Sequence, residues 1–237
     1  MISSIFVLFL FYSLIILAVL GYGLFFERLI YGNNKVDKLG YTGLLGIFFL
    51  IIYSYISHFF LSHNLFHNSL VIIIGLIISI FYVLKIYKNF FFNILFVNFF
   101  IFFIALLIYK THDDFPYYHF PYSYYLTQFP MLIGVGQFNH GFRTPSSIFY
   151  LNSLFYLPLI KYFTFYIGTI LIMGFANLIL ISRIYRYFIK KKINSIFYLS
   201  ILIFIFINIF FYRIQEHGTD RSAQILILIL FLQTLLF

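Results

Sequence analysis

Long apolar runs alternate with short polar connections along the whole chain, and one connection stands apart by its length. The runs cover 4–26, 41–61, 69–84, 89–109, 162–181, 195–212 and 223–237; after the fourth comes a polar, proline-punctuated stretch, THDDFPYYHFPYSYYLTQFPMLIGVGQFNHGFRTPS, at 111–146. About 20 apolar residues of helix cross the hydrocarbon core of a bilayer, because lipid offers backbone N–H and C=O groups no partner and a helix satisfies them internally. The pattern predicts an all-α, polytopic membrane helix bundle of about seven spans, the third of them short. The first run has no basic residues ahead of it and no small-residue cleavage site, so it reads as a retained span. The last run ends with no polar flank, so the chain reads as an N-terminal fragment cut inside a span. Two blocks are expected: a three-span module at 1–88 and the start of a membrane core at 89–237, with external loops at 110–161 and 213–222.

All five prolines, Pro116, Pro121, Pro130, Pro145 and Pro158, fall between the fourth run and Tyr162. That region cannot be one long helix. Residues 121–129 predict a helical turn or two that holds Tyr122, Tyr124 and Tyr125 at the headgroup level. Residues 146–160 predict an apolar helix of about four turns, too short to span, broken near its end by Pro158 and lying along the interface.

Composition agrees with the pattern. The 237 residues are 63% hydrophobic and 9% charged, with a mean hydropathy of +1.02, far above that of a domain whose surface faces water. Cysteine is absent, which excludes disulfides and thiolate chemistry. The net charge of +9 reports topology more than nucleic-acid binding. Lys and Arg accumulate in cytoplasmic loops, and one alternating set of connections holds Arg28, Lys35, Lys38, Lys85, Lys88, Arg183, Arg186, Lys190, Lys191 and Lys192. The other set holds Lys110, Arg143, Lys161, Arg213 and Arg221 together with the acids Asp113, Asp114, Glu216 and Asp220. The 111–146 stretch is therefore expected outside. The run RIYRYFIKKK is expected inside, where anionic lipid is its near partner.

Asp113 and Asp114 follow the fourth run so closely that they must sit near the outer interface, where a carboxylate pair needs water, a counter-charge or a cation. Long loops without regular structure are uncommon unless functional or disordered, and the aromatic content argues against disorder. A second acidic cluster, Glu216 and Asp220 in RIQEHGTDRSAQ, is expected on the same side. His112, His119, His140 and His217 join these carboxylates there and offer mixed nitrogen and oxygen ligands. His63 and His67 have i, i+4 spacing but no acidic neighbour and read as interfacial polar residues, and His58 is placed to bond a neighbouring helix. Gly134 and Gly136 read as a bend. Gly21, Gly23, Gly168 and Gly174 mark close helix packing, and Asn93, Asn98, Asn177 and Asn208 read as interhelical hydrogen-bonding groups.

The acidic pair in D-D-x-x-Y, followed by His119, Pro121 and the phrase NHGFRTPSSIFYLNSLFYLP, resembles the GT-C superfamily of membrane glycosyltransferases, which includes the protein mannosyltransferases and the aminoarabinose transferases of lipid A. The resemblance covers roughly the second half of the chain, and three spans precede the part that matches. It implies transfer of a sugar from a polyprenyl-phosphate donor to a glycan, lipid or protein acceptor on the outer side of a bacterial inner membrane. Asp113 matches the family's first acid and is expected to take the acceptor's proton. Asp114 would orient the acceptor or, with Asp113, hold a divalent cation, Mg or Mn. Tyr117, His119, Arg143, Glu216, Asp220 and Arg221 are the implied substrate-binding residues. Arg143, Arg221 and Lys110 are the external cations available to the leaving phosphate; Lys110 and Arg213 read more simply as interface snorkels. A transporter or flippase, or a non-enzymatic envelope protein, is the competing reading. The near absence of ionisable residues inside the runs weighs against an ion-coupled carrier.

Overall fold

The computed structural model describes residues 2–32, 39–86, 90–108 and 111–235, and the side chains of 2–3, 31 and 82–92 fall outside that description. Lys35, Lys38, Lys88 and Lys110 lie outside the described residues, as does the side chain of Lys85. Among the described residues the protein is all-helical, with α1 (Ile2–Tyr31), α2 (Leu39–His58), α3 (Leu65–Ile86), α4 (Phe90–Leu106), α5 (Phe120–Gln128), α6 (Ser147–Ser153), α7 (Ile167–Ile189), α8 (Ser195–Phe210) and α9 (Asp220–Thr234). Three stretches are long and apolar enough to cross a membrane: Ser4–Ile30, Leu39–His58 and Tyr162–Ile189. The apolar parts of three others, Leu65–Phe81, Asn93–Leu106 and Ser195–Phe210, are shorter. Among the described residues, three helices are thus of membrane length, where the hydropathy pattern predicts about seven spans.

Helix α7 is the axis. Every residue from 167 to 180 is buried, and α2, α4, α6, α8 and α9 pack around it. Helix α8, by contrast, buries Phe197, Ser200, Ile203 and Ile207, one face at helical spacing. Its exposed side carries Tyr198, Leu202, Ile205, Ile209 and Phe210, the kind of surface that hydrocarbon, not water, tolerates. Helix α1 closes against α2 and α3 through small residues. A Cβ on Gly21 would fall 2.1 Å from the Gly75 carbonyl oxygen, and one on Gly46 would fall 2.0 Å from that of Val19. Backbones this close maximise dispersion contact where no hydrophobic effect separates helix from lipid.

Polar side chains stitch the bundle. Tyr12 donates to the Phe99 carbonyl at 2.9 Å and Tyr22 to that of Val71 at 2.6 Å. Asn98 on α4 donates to Gly174 of α7 at 3.1 Å, and Asn177 and Asn208 exchange reciprocal amide bonds of 2.9 and 3.1 Å between α7 and α8. Asn93 is exposed. At the other end of α7 Arg183 is buried, donating to the Tyr41 hydroxyl and to Gln233 Oε1, both at 2.9 Å. It ties α7 to α2 and α9 instead of lying in a solvated loop with its basic neighbours.

The α2–α3 connection is a buried hub. Asn64 caps α3 by accepting the His67 amide at 3.0 Å. His63 is fully buried. Its Nδ1 lies 2.7 Å from Ser153 Oγ, which itself donates to the Tyr150 carbonyl, and its Nε2 lies 3.0 Å from Ser57 Oγ. Asn68 donates to the carbonyls of His63, Ser153 and Tyr156. Burial pushes His63 down to about 3. His63 and His67 are therefore internal struts joining α2 and α3 to α6, not interfacial residues, while His58 donates to the Phe129 carbonyl at 3.0 Å.

The 146–160 stretch also differs from expectation. It is helical only over Ser147–Ser153, and α6 is buried throughout from Ile148 to Ser153. Pro158 does not set its end. The carbonyls beyond it are claimed by side chains: Asn68 takes those of Ser153 and Tyr156, and Thr164 takes that of Phe155 at 2.6 Å. Tyr122 of α5 is buried as well, whereas Tyr117 and Tyr124 are exposed as an aromatic belt requires.

Candidate functional site

The chain leaves α4, turns, and enters a helix whose first turn is wound as a π-helix, Phe115–His119, before continuing as α5. Such one-turn departures recur at functional sites. Asp114 is the N-cap, yet its carboxylate does not cap. Its carbonyl accepts the amides of Tyr118 at 3.1 Å and His119 at 3.4 Å. Its Oδ2 accepts the Tyr118 hydroxyl at 3.1 Å and lies 3.8 Å from His112 Nδ1. His112 Nδ1 in turn accepts the Asp114 amide at 3.1 Å.

The α8–α9 connection packs against this turn. The His112 amide donates to the Gln215 carbonyl at 3.3 Å, and the Gln215 side chain reaches back to the Leu106 carbonyl. Gly218 has φ +53, and a Cβ there would stand 3.4 Å from both the His112 and His119 rings. The left-handed backbone and the missing side chain let the loop lie flat over two imidazoles. Between the two segments is a cleft of about 200 Å³, lined by His112, Asp114, Tyr118 and His119 on one side and by residues 216–221 and Gln224 on the other.

Its electrostatics follow from burial. His119 is buried with no hydrogen-bond partner at Nε2; burial, reinforced by the neighbouring His112, pushes its pKa down to about 4 against the pull of Asp114 and Asp220. The ring is neutral at pH 7 and keeps a lone pair. His217 is pushed down to about 4 by burial and by Arg221, and its Nε2 donates to the Phe211 carbonyl at 2.6 Å. Burial and the Asp114 carboxylate both raise the Tyr118 hydroxyl, which stays a donor.

Several residues singled out in the sequence meet here: Asp114, His119, Glu216, Asp220 and Arg221 all line the cleft. Glu216 Oε2 accepts from Arg213 at 3.4 Å, and Asp220 Oδ1 accepts from Thr219 at 3.0 Å. Others do not meet here. Asp113 is exposed and absent from the lining, so the acidic pair is not presented as one two-carboxylate site. Tyr117 is exposed. Arg143 is exposed and donates to the Gly136 carbonyl at 3.2 Å; it belongs to a brace in which Asn139 holds the Tyr117 carbonyl and Gly141 abuts the Tyr118 ring. His140 lies in that brace too. Tyr118 was missed, although its i+4 spacing from Asp114 is a legible signal once a helix starts there.

Among the described residues, His112, Asp114 and His119 form a group whose ligand atoms lie within 4.8 Å of one another. An oxygen-only site for Mg or Mn, as expected from Asp113 with Asp114, does not fit this arrangement, because two of the three donors are imidazole nitrogens. A family model described as a domain of unknown function, DUF8201, matches residues 5–236. No curated protein and no solved structure matches the chain.

Proposed function

The chain belongs to the family of domains of unknown function DUF8201, a membership that brings no activity with it, and we propose one from the cleft: a membrane glycosyltransferase that moves a sugar from a polyprenyl-phosphate donor to an acceptor on the outer face. In this reading the six apolar helices and α9 make a bundle of about seven spans in a bacterial inner membrane. The cleft opens to the periplasm, and Arg186 with Lys190, Lys191 and Lys192 faces the cytoplasm.

The observation that carries the reading is the convergence of Asp114 with Glu216, Asp220 and Arg221 in one polar cleft at one end of an apolar bundle, although about a hundred residues separate the two segments. A water-accessible carboxylate at the membrane surface is where a lipid-anchored donor and a polar acceptor can meet. The division of labour follows from position. Asp114, fixed by Tyr118, takes the proton from the acceptor hydroxyl as it attacks the anomeric carbon. The bond from that carbon to the phosphate oxygen breaks, and Arg221, with its planar fork, neutralises the departing polyprenyl phosphate. Glu216 and Asp220 hold sugar or acceptor hydroxyls. Asp113, exposed and outside the lining, is not needed for the proton transfer.

The test is sugar transfer from a labelled polyprenyl-phosphate sugar by the full chain in vesicles. Asp114→Asn is expected to abolish transfer while insertion and abundance stay normal. Transfer at the wild-type rate in that variant would remove the catalytic assignment. Facilitated flux of a solute, with no sugar transferred, would favour the transporter reading.

A further inference from the structure

We propose that His112, Asp114 and His119 bind a divalent transition ion of the zinc type, held by two imidazole nitrogens and one carboxylate oxygen with its remaining positions open to the cleft. The inference stands on the donors alone and is compatible with the proposed transfer, because Asp114 would hold the ion through one carboxylate oxygen and leave the other for the acceptor proton.

The first support is the winding of the chain. In a regular α-helix a residue five positions on is turned away from the first, but the π-turn Phe115–His119 brings His119 back over Asp114, with the His119 amide on the Asp114 carbonyl at 3.4 Å. The irregularity gathers the ligands. A second support is His119 itself, 6% exposed, with a buried Nε2 that has no protein partner on the wall of a 200 Å³ cleft. A buried polar atom left so calls for a ligand. Third, the carboxylate is oriented from outside the ligand set by Tyr118 at 3.1 Å, the kind of outer support that metal ligands carry.

The three ligand atoms lie within 4.8 Å of one another; adjacent donors around a tetrahedral zinc stand roughly 3.4 Å apart, given bonds of about 2.0–2.1 Å. Small side-chain rotations close that difference, and binding at His112 Nδ1 exchanges its bond from the Asp114 amide for a coordinate bond. Three protein ligands with an open position are the pattern of a reactive ion, not of a closed structural one. Imidazole selects Zn, Co or Ni over Mg and Mn, which favour oxygen. The cation chemistry of this cleft is thus of a different kind from that expected of an acidic pair.

The experiment is metal binding by the tag-free full chain in detergent after chelator treatment, titrated with Zn²⁺ and with Co²⁺, whose visible absorption reports its ligands. One ion per chain is expected, with millimolar Mg²⁺ unable to displace it. His119→Asn and His112→Asn should each weaken binding about 10-fold or more, with the folded state checked by thermal unfolding, and His140→Asn should leave it unchanged. Absence of a stoichiometric ion, displacement by Mg²⁺, or undiminished binding in both His119→Asn and His112→Asn would overturn the proposal. An ion bound without detectable sugar transfer leaves the site standing and removes the transferase reading; transfer by a chain that binds no such ion does the reverse.

Discussion

Tyr118 donates its hydroxyl to Asp114 Oδ2 at 3.1 Å across one turn of the helix that opens the long loop. That bond holds the acid that lines the cleft, while its neighbour Asp113 is exposed. Asp114→Asn is expected to lower transfer by at least about 100-fold, the scale of a lost general base, and Asp113→Asn by far less. Tyr118→Phe should lower kcat about 10-fold, the worth of one hydrogen bond to a charged group, with little change in KM for the donor. Steady-state kinetics on the three variants separates the roles.

His63 predicts a pH dependence of stability. Its pKa is held at about 3 in the folded chain, below the ordinary value near 6.5 of the unfolded chain. Between those values the unfolded state binds a proton that the folded state refuses, so stability is full above about 6.5 and falls as pH drops towards about 3. Thermal unfolding in detergent from pH 7.5 to pH 5 should show a falling Tm. In His63→Gln the fall should be shallower, from a lower starting point because the bonds to Ser57 and Ser153 are changed.

The Asn177–Asn208 pair should behave as a unit. Asn208→Leu leaves the nearly fully buried Asn177 amide without its partner, at a cost of about 1 kcal/mol. The double variant Asn177→Leu with Asn208→Leu removes both amides and should recover part of that loss. Unfolding in mixed micelles, run as a double-mutant cycle, measures the coupling; additive losses would mean the two amides do not depend on each other.

Gly46→Ala is the sharpest packing test. Its new Cβ would stand 2.0 Å from the Val19 carbonyl oxygen, a backbone atom that cannot swing aside. Helices α1 and α2 must separate, costing about 1–3 kcal/mol or more. Gly21→Ala meets the Gly75 carbonyl in the same way. Both should lower Tm and yield, and a Tm unchanged in either would contradict this helix packing.

Periodicity and local chemistry determined the helical class and the approximate positions of the apolar helices by themselves, although the run read from 69 opens as a helix at Leu65 and the one read from 162 at Ile167. Asn64, Ser146 and Asn194 each accept an amide at the helix they precede, because a short polar side chain satisfies orphan N–H groups wherever the rest of the chain lies. The small residues at Gly21 and Gly174 and the amides at Asn98, Asn177 and Asn208 were legible for a similar reason: in hydrocarbon such groups have few places to go but another helix. Burial was not legible. Where lipid replaces water, both faces of a helix are apolar, so the sequence does not distinguish the wholly buried α7 from the half-exposed α8. It likewise left His63, the internal strut, looking interfacial. The family resemblance put Asp113 first, whereas Asp114 is the one that lines the cleft; the two are neighbours whose directions differ by the local winding of one turn. That choice, and the meeting of His112, Asp114 and His119 with the 216–221 loop, depended on a π-turn and on a left-handed glycine at 218. The first lies in the segment after α4 and the second in the α8–α9 connection, about a hundred residues apart in the chain, which only the tertiary structure brings together.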